Sequence, residues 1–124
     1  MRVVLQRVSE AKVTVDGNIT GQINHGLLIL LGVEDADTEE DIIWLSNKIS
    51  NIRIFDDENG VMNKSVSEVD GSILLISQFT LFAATKKGNR PSYIKAANSE
   101  YALRIYQEFL EIMKYKINNQ KNEN

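Results

Sequence analysis

The chain has 124 residues, 43% hydrophobic and 25% charged, so it is long enough for one folded domain and too apolar to be disordered throughout. The sequence contains no cysteine, which excludes a disulfide scaffold, a thiolate metal centre and a cysteine nucleophile. It contains one histidine, which argues against a histidine-dependent triad or a conventional zinc site. The net charge of −3 means that any hold on nucleic acid has to come from a local basic surface.

Four strands are predicted before the first helix. Residues 1–8 alternate as a strand, residues 11–15 alternate as a second, and residues 19–23 continue the alternation as its hairpin partner. The run 27–33 is apolar on both faces, which is typical of a central strand covered by helices.

The second half of the chain predicts two helices with strands between them. A helix is predicted over 38–51, where Thr38 and Asp41 have the form of a capping box. Extended structure resumes at 53–55, and residues 61–66 fit either a loop or a short edge strand. Residues 72–84 predict a second strongly apolar strand. A second amphipathic helix begins at Ser99 and gives way to polar residues, expected to fray, from Asn118.

The order β-β-β-β-α-β-β-α predicts an α/β fold, a mixed sheet with two helices packed against it and the two apolar strands at its centre. We assign residues 1–117 to a single domain and residues 118–124 to a polar tail. The sequence has neither an apolar run of membrane-spanning length nor a signal peptide pattern, so a cytoplasmic protein that does not engage membranes is expected.

Polar residues interrupt the second apolar strand near its end, at Ser77, Gln78 and Thr80. Ligands bind at the carboxyl ends of strands in open α/β sheets, so this segment is a candidate site, although a strand that runs out into a loop accounts for the same pattern. Ser77 and Phe79 are expected on one face and Gln78 and Thr80 on the other. His25 lies in a predicted turn and is not nominated as a base. Hydrolysis here therefore has to rely on backbone N–H groups as an oxyanion hole, or on a group of the substrate.

Charged and aromatic residues elsewhere have competing interpretations. The basic residues after the candidate strand fit either a phosphate grip or a solvated loop: Lys86, Lys87, Arg90 and Lys95. The acidic residues 34–41 fit a divalent metal site less well than the N-terminal turn of a helix, so no metal is expected. Arg7 and Arg53, at strand ends, fit anchors for a carboxylate or a carbonyl. Trp44 and Tyr106 are expected to be packing residues rather than platforms for bases.

Taken together, these segments resemble the D-aminoacyl-tRNA deacylase family over about residues 1–113. The Ser-Gln-Phe-Thr motif at 77–80 is the most specific element. The other matching segments are 6–8, 11–15, 26–33, 53–55, 62–63 and 87–92.

The resemblance implies an editing hydrolase that cuts the ester joining a D-amino acid, or glycine, to the terminal ribose of tRNA, without a cofactor. It also implies a homodimer with its active sites at the interface. The segment carrying the catalytic residues Ser77, Gln78, Phe79 and Thr80 would line the pocket for the terminal adenosine and the aminoacyl group. Main-chain groups from Ser77 to Phe79 would stabilise the oxyanion, Thr80 is an earlier candidate nucleophile, and the ribose 2′-hydroxyl would replace a protein base.

The same resemblance implies the substrate-binding residues. Arg7 would steady the partner's pocket loop, and Ala102 would face the site from the second helix. Lys87, Arg90 and Pro91 belong to the basic motif and are expected to contact the RNA. Two alternatives stay open: a catalytically inactive nucleic-acid-binding module of the same fold, and a related synthetase editing domain standing alone.

One family signature is not found in the sequence. The Asn-x-x-Pro-Val-Thr segment, whose Gly–cis-Pro pair rejects L-amino acids in the neighbouring subunit's site, has no counterpart, and the only proline is Pro91. The strands that follow the second helix in the family are expected to be missing, which leaves a sheet edge unpaired and the dimer in question. A shortened chain with weakened activity is favoured over an incomplete sequence record or a divergent member without chiral proofreading.

Overall fold

The computed structural model describes residues 1–77 and 99–122. Within these residues, seven strands and two helices follow one another. They are β1 (Arg2–Val8), β2 (Ala11–Val15), β3 (Asn18–Ile23), β4 (Gly26–Gly32), α1 (Glu39–Asn51), β5 (Phe55–Asp56), β6 (Met62–Lys64), β7 (Ser72–Ser77) and α2 (Ser99–Asn122). The α/β class is confirmed. The weakly patterned segment 61–66 contributes the short strand β6, which adds one strand to the predicted order.

A three-stranded mixed sheet forms the centre of the described structure, in the order β1-β4-β7. β1 pairs antiparallel with β4, and β7 pairs parallel with it. A parallel pair needs a crossover, and α1 with the β5–β6 hairpin supplies it. The predicted central position is therefore confirmed for β4, whereas β7 is the edge strand of this sheet within the described residues.

The β2–β3 hairpin packs beside β7 on the face away from the helices. Its turn contains Asp16 and Gly17, both at positive φ. A Cβ atom added at Gly21 would lie 3.0 Å from Leu74 Cδ1. Leu74 points to the face opposite its buried neighbour Leu75, because side chains alternate along a strand.

The two helices cover the other face of the sheet and enclose the core. Leu27, Ile29 and Leu31 of β4 are fully buried, in the same cluster as Ile42 and Ile49 of α1 and Phe109 of α2. Ser46 and Ser50 are buried on α1, where small side chains allow α2 to approach closely. The alternation of β4 and the helical stripes of α1 and α2 thus converge on one apolar layer.

Both helices occupy the predicted positions. The capping box is present at the start of α1, where the Thr38 backbone N–H donates to Asp41 Oδ2 at 2.9 Å. At the other end of the chain, α2 continues to Asn122, so five residues of the predicted polar tail are helical. Neither helix combines the length and the hydropathy that crossing a bilayer requires.

Candidate active site

Ser77 ends the described part of β7 and is exposed at the C-terminal edge of the sheet. It pairs with Leu31, near the end of the parallel strand β4. Leu75, two residues earlier, is buried, so by strand alternation Ser77 lies on the helix-covered face just beyond the core. This is the edge at which open α/β sheets bind ligands. The other predicted residues of the segment, Gln78, Phe79 and Thr80, lie outside the described residues, as do Lys86, Lys87, Arg90, Pro91 and Lys95.

The beginning of α2 is held beside this edge by Tyr106. Its hydroxyl donates to the Leu75 carbonyl oxygen at 2.8 Å. Burial raises the pKa of Tyr106, so the hydroxyl keeps its proton at neutral pH and continues to donate. The bond fixes the position of α2 relative to the end of β7.

Ala102 lies at the level of Ser77. α2 runs antiparallel to β7, since Met113 and Ile117 line a cavity with Ile73 at the start of the strand, while Tyr106 contacts Leu75. Ala102 is one helical turn before Tyr106, about 6 Å along the axis, and Ser77 is two residues after Leu75, about 7 Å along the strand. The half-buried Ala102 methyl group and the exposed Ser77 therefore flank the same edge.

The acidic stretch 34–41 has structural roles at this end of the sheet. Asp37 is buried, and its carboxylate accepts from the Met1 ammonium at 2.5 Å and from the Glu34 backbone N–H at 2.6 Å. The Tyr101 hydroxyl of α2 donates to the Asp37 carbonyl oxygen. Asp41 caps α1. In the parts of the chain that the structure describes, no three acidic or histidine side chains are arranged to hold a metal ion.

Arg7 lies at the opposite edge of the sheet from Ser77. It pairs with Leu27 near the start of β4, four residues or about 13 Å from the Leu31 row. Its Nη1 donates to the Ile54 carbonyl oxygen at 3.0 Å and lies 3.7 Å from Asp56 Oδ1. One chain therefore does not bring Arg7 and Ser77 together.

The interpretation of the strand-end arginines as anchors is confirmed. Arg7 binds the Ile54 carbonyl oxygen, and Arg53 Nε donates to the Asn63 carbonyl oxygen at 3.1 Å. Both guanidinium groups thereby tie the β5–β6 segment to its neighbours.

His25 lies in a turn, as predicted, and is remote from Ser77. It is exposed between β3 and β4, with Nε2 2.7 Å from the Val69 carbonyl oxygen. Leu31, which pairs with Ser77, is six residues or about 20 Å further along β4. The only imidazole of the chain therefore cannot act as a base at Ser77 in the same subunit.

Of the two aromatic side chains predicted to pack, one is packed against the core and the other is exposed. The prediction is confirmed for Tyr106, which packs against the core. It is wrong for Trp44, which is 64% exposed on the outer face of α1. The signal was in the sequence: Ile42, Leu45 and Ile49 form the apolar stripe of the helix, and position 44 lies off it.

Comparison with known proteins agrees with the fold. The family model described as D-Tyr-tRNA(Tyr) deacylase matches residues 4–123. The chain belongs to this family. The resemblance carried by the Ser-Gln-Phe-Thr motif is thereby confirmed.

Curated members of the deacylase family are similar to the chain over most of its length. The D-aminoacyl-tRNA deacylase of Flavobacterium johnsoniae is 61% identical over 111 residues, which are 90% of this chain and 74% of the relative. That of Bacteroides fragilis is 62% identical over 109 residues, 88% of this chain and 73% of the relative.

Two solved structures share the fold. One, titled c-Myc DNA Unwinding Element Binding Protein, has a TM-score of 0.87 and 40% identity, and the match covers 93% of this chain and 77% of that one. The other, described as a probable eukaryotic D-amino acid tRNA deacylase, has a TM-score of 0.79 over 94% of this chain and 68% of that one. Its identity of 17% makes it evidence for the fold alone.

Proposed function

We propose that this chain hydrolyses the ester bond of D-aminoacyl-tRNA, and of tRNA mischarged with glycine, releasing the amino acid and free tRNA. The observation that carries the proposal is the 61% identity to a D-aminoacyl-tRNA deacylase over 90% of the chain. The exposed Ser77 edge, flanked by Ala102, supports it as a place for the aminoacyl end of the RNA. Because the substrate is an aminoacyl-tRNA, we place the reaction in the cytoplasm.

The proposed mechanism uses few protein acid–base groups. Backbone N–H groups between Ser77 and Phe79 hold the negative charge that develops on the carbonyl oxygen. Water adds to the carbonyl carbon, the bond from that carbon to the ribose oxygen breaks, and a proton passes to the leaving oxygen through the ribose 2′-hydroxyl. The remoteness of His25 supports a mechanism in which backbone N–H groups and the RNA replace a protein base, since no imidazole reaches the Ser77 edge from within the subunit. Gln78 and Thr80 complete the proposed pocket.

The proposed RNA contacts combine the basic motif with the two edges of the sheet. Lys87 and Arg90 are assigned to backbone phosphates, and Pro91, which follows them in the basic motif, is assigned to the same RNA contact. Ala102 limits the space beside the aminoacyl group. Arg7 is assigned to the pocket of a partner subunit, which agrees with its distance from Ser77 in the same chain.

The proposal includes a homodimer. Val4, Leu30 and Ile76 form one row across the sheet, on the face that the helices leave uncovered. Val4 is 47% exposed, and Leu30 and Ile76 are half-buried. A continuous apolar row of this kind is typical of a surface that a second copy covers, and a two-fold axis would carry the Arg7 edge of one subunit toward its neighbour.

A catalytically inactive nucleic-acid-binding module is the second candidate. It is favoured by the solved structure whose title names binding to a DNA unwinding element and whose backbone matches this chain with a TM-score of 0.87. The net charge of −3 counts against binding by charge alone. The two candidates differ in one property, turnover.

Deacylation of D-tyrosyl-tRNA tests the proposal directly. We expect the purified full chain to release D-tyrosine above the buffer rate, equally with and without EDTA, because no step requires a metal. Circular dichroism establishes that the protein is folded, and D-tyrosyl-tRNA in buffer gives the background. A folded protein that binds tRNA and releases no D-tyrosine would contradict the hydrolase and favour the binding module.

A further inference from the structure

The exposed tryptophan of α1 lies in an open groove that the chemistry above does not use. The groove has a volume of about 410 Å³ and is lined by Trp44, Asn47, Lys48, Asn51 and Ile52. These residues recur at helical spacing along the face of α1 that points away from the sheet. Trp44 is the only tryptophan of the chain.

Lysine and asparagine side chains share the groove with the indole. Lys48 Nζ lies 5.7 Å from the centroid of the Trp44 ring. From α2, Lys116 Nζ donates to Asn47 Oδ1, which places a second ammonium group beside a side chain that lines the groove. Among the described residues that line the groove, none carries a carboxylate. In a chain with net charge −3, this is a local surface that favours an anion.

This combination fits a nucleotide better than an apolar protein surface. Bases stack on aromatic side chains without regard to sequence, and lysine ammonium groups contact the phosphates beside them. Asn47 and Asn51 offer amide donors and acceptors to a base edge. A protein interface core is instead depleted of lysine, so the two ammonium groups disfavour that occupant.

The groove is far from the Ser77 edge. The Ile54 carbonyl oxygen, three residues after the end of α1, accepts from Arg7, which pairs with Leu27 near the start of β4. The end of α1 therefore lies near the start of β4, whereas Ser77 pairs with Leu31 near the end of that strand. Lys48 is nine residues into α1, about 14 Å along the helix axis. A nucleotide bound in the groove is therefore not the aminoacylated adenosine at the Ser77 edge of the same subunit.

Resting on the proposed function, we infer that the groove is a second contact for the RNA substrate, in which a base outside the aminoacylated end stacks on Trp44 while Lys48 and Lys116 hold its phosphate. Such a contact strengthens binding of full-length tRNA without touching the ester. It predicts an effect on KM that depends on the length of the RNA.

The single tryptophan gives a direct readout. Titration of the full chain with deacylated tRNA is expected to quench the fluorescence of Trp44, because a stacked base quenches indole emission. We expect Trp44→Ala to weaken tRNA binding about tenfold, the range of one lost stacking contact, and Lys48→Gln to lower the salt slope by about 1. Ile43→Ala is the matched control, since Ile43 is an exposed apolar neighbour on the same helix that does not line the groove.

Substrate length separates this inference from the proposed function. With D-tyrosyl-tRNA, Trp44→Ala is expected to raise KM about tenfold and leave kcat unchanged, while hydrolysis of D-tyrosyl-adenosine keeps its wild-type rate. An absence of any turnover contradicts the hydrolase alone, because the fluorescence titration with deacylated tRNA still tests the groove. Fluorescence of Trp44 that is not quenched at saturating tRNA overturns the RNA contact. A Trp44→Ala variant that binds tRNA with wild-type affinity, while the sedimenting mass of the protein changes, overturns it as well.

Discussion

Gly26→Ala is expected to destabilise the protein by about 4 kcal/mol or more, among the largest effects of any single substitution. Gly26 begins β4 with φ +155°, and a Cβ atom there would lie 1.9 Å from the Ser72 carbonyl oxygen and 2.6 Å from the Ser72 nitrogen. These are backbone atoms and cannot rotate away. Gly26 pairs with Ser72 in the first rung of the β4–β7 register, so relief of the clash requires the parallel pair to separate.

Gly60→Ala is the matched control for the cost of a positive φ alone. Gly60 has φ +74°, but a Cβ atom there would meet nothing within 4 Å, so we expect a loss of about 1 kcal/mol. Urea unfolding followed by circular dichroism measures both variants. Equal losses for the two variants would contradict the claim that close approach of β4 and β7 fixes the register and, with it, the position of Ser77 beside Leu31.

Ala102→Phe is expected to lower kcat/KM for D-tyrosyl-tRNA by about 100-fold while the protein stays folded, since a displacement of about 1 Å at a reacting centre has an effect of this size. Ala102 is at the level of Ser77 on the beginning of α2, and the buried Phe109 and the Tyr106 hydroxyl bond to the Leu75 carbonyl oxygen hold this helix against the sheet. A phenyl ring at position 102 would project into the space where we place the aminoacyl group.

Leu103→Phe is the control for an added ring at the same helical turn. Leu103 is 55% exposed, so its side chain points to solvent and a larger one is accommodated there. Steady-state deacylation kinetics and thermal unfolding are measured for both variants. Wild-type activity in a folded Ala102→Phe variant would show that the aminoacyl group binds elsewhere.

Local sequence patterns predicted the elements that depend on local physics. Thr38 and Asp41 predict the start of α1 because a capping box is made within one helical turn. The run 27–33 predicts a buried strand because a strand covered on its helix side and flanked by two others excludes polar side chains. The Ser-Gln-Phe-Thr motif identified the family without any structural information.

The sequence pattern did not predict where elements and residues distant in the chain lie relative to one another. The position of β7 at the edge of the described sheet and the distance between Arg7 and Ser77 follow from strand pairing, which no local periodicity encodes. The position of Ala102 at the level of Ser77 follows from the direction of α2 and from the bond between Tyr106 and Leu75. The exposure of Trp44 was accessible from its position off the apolar stripe, yet its place in a helical segment favoured the wrong interpretation.

Because His25 is remote from Ser77, we propose that the peptide backbone and the RNA together supply what side chains do in most esterases. The most direct measurement compares D-tyrosyl-tRNA ending in adenosine with the same tRNA ending in 2′-deoxyadenosine, at equal saturation of the enzyme. We predict that removal of the 2′-hydroxyl lowers the rate of ester cleavage at least 100-fold, the contribution of a positioned proton-transfer group, with little change in KM. Equal cleavage rates for the two substrates would contradict the claim and require an acid–base side chain at the Ser77 edge.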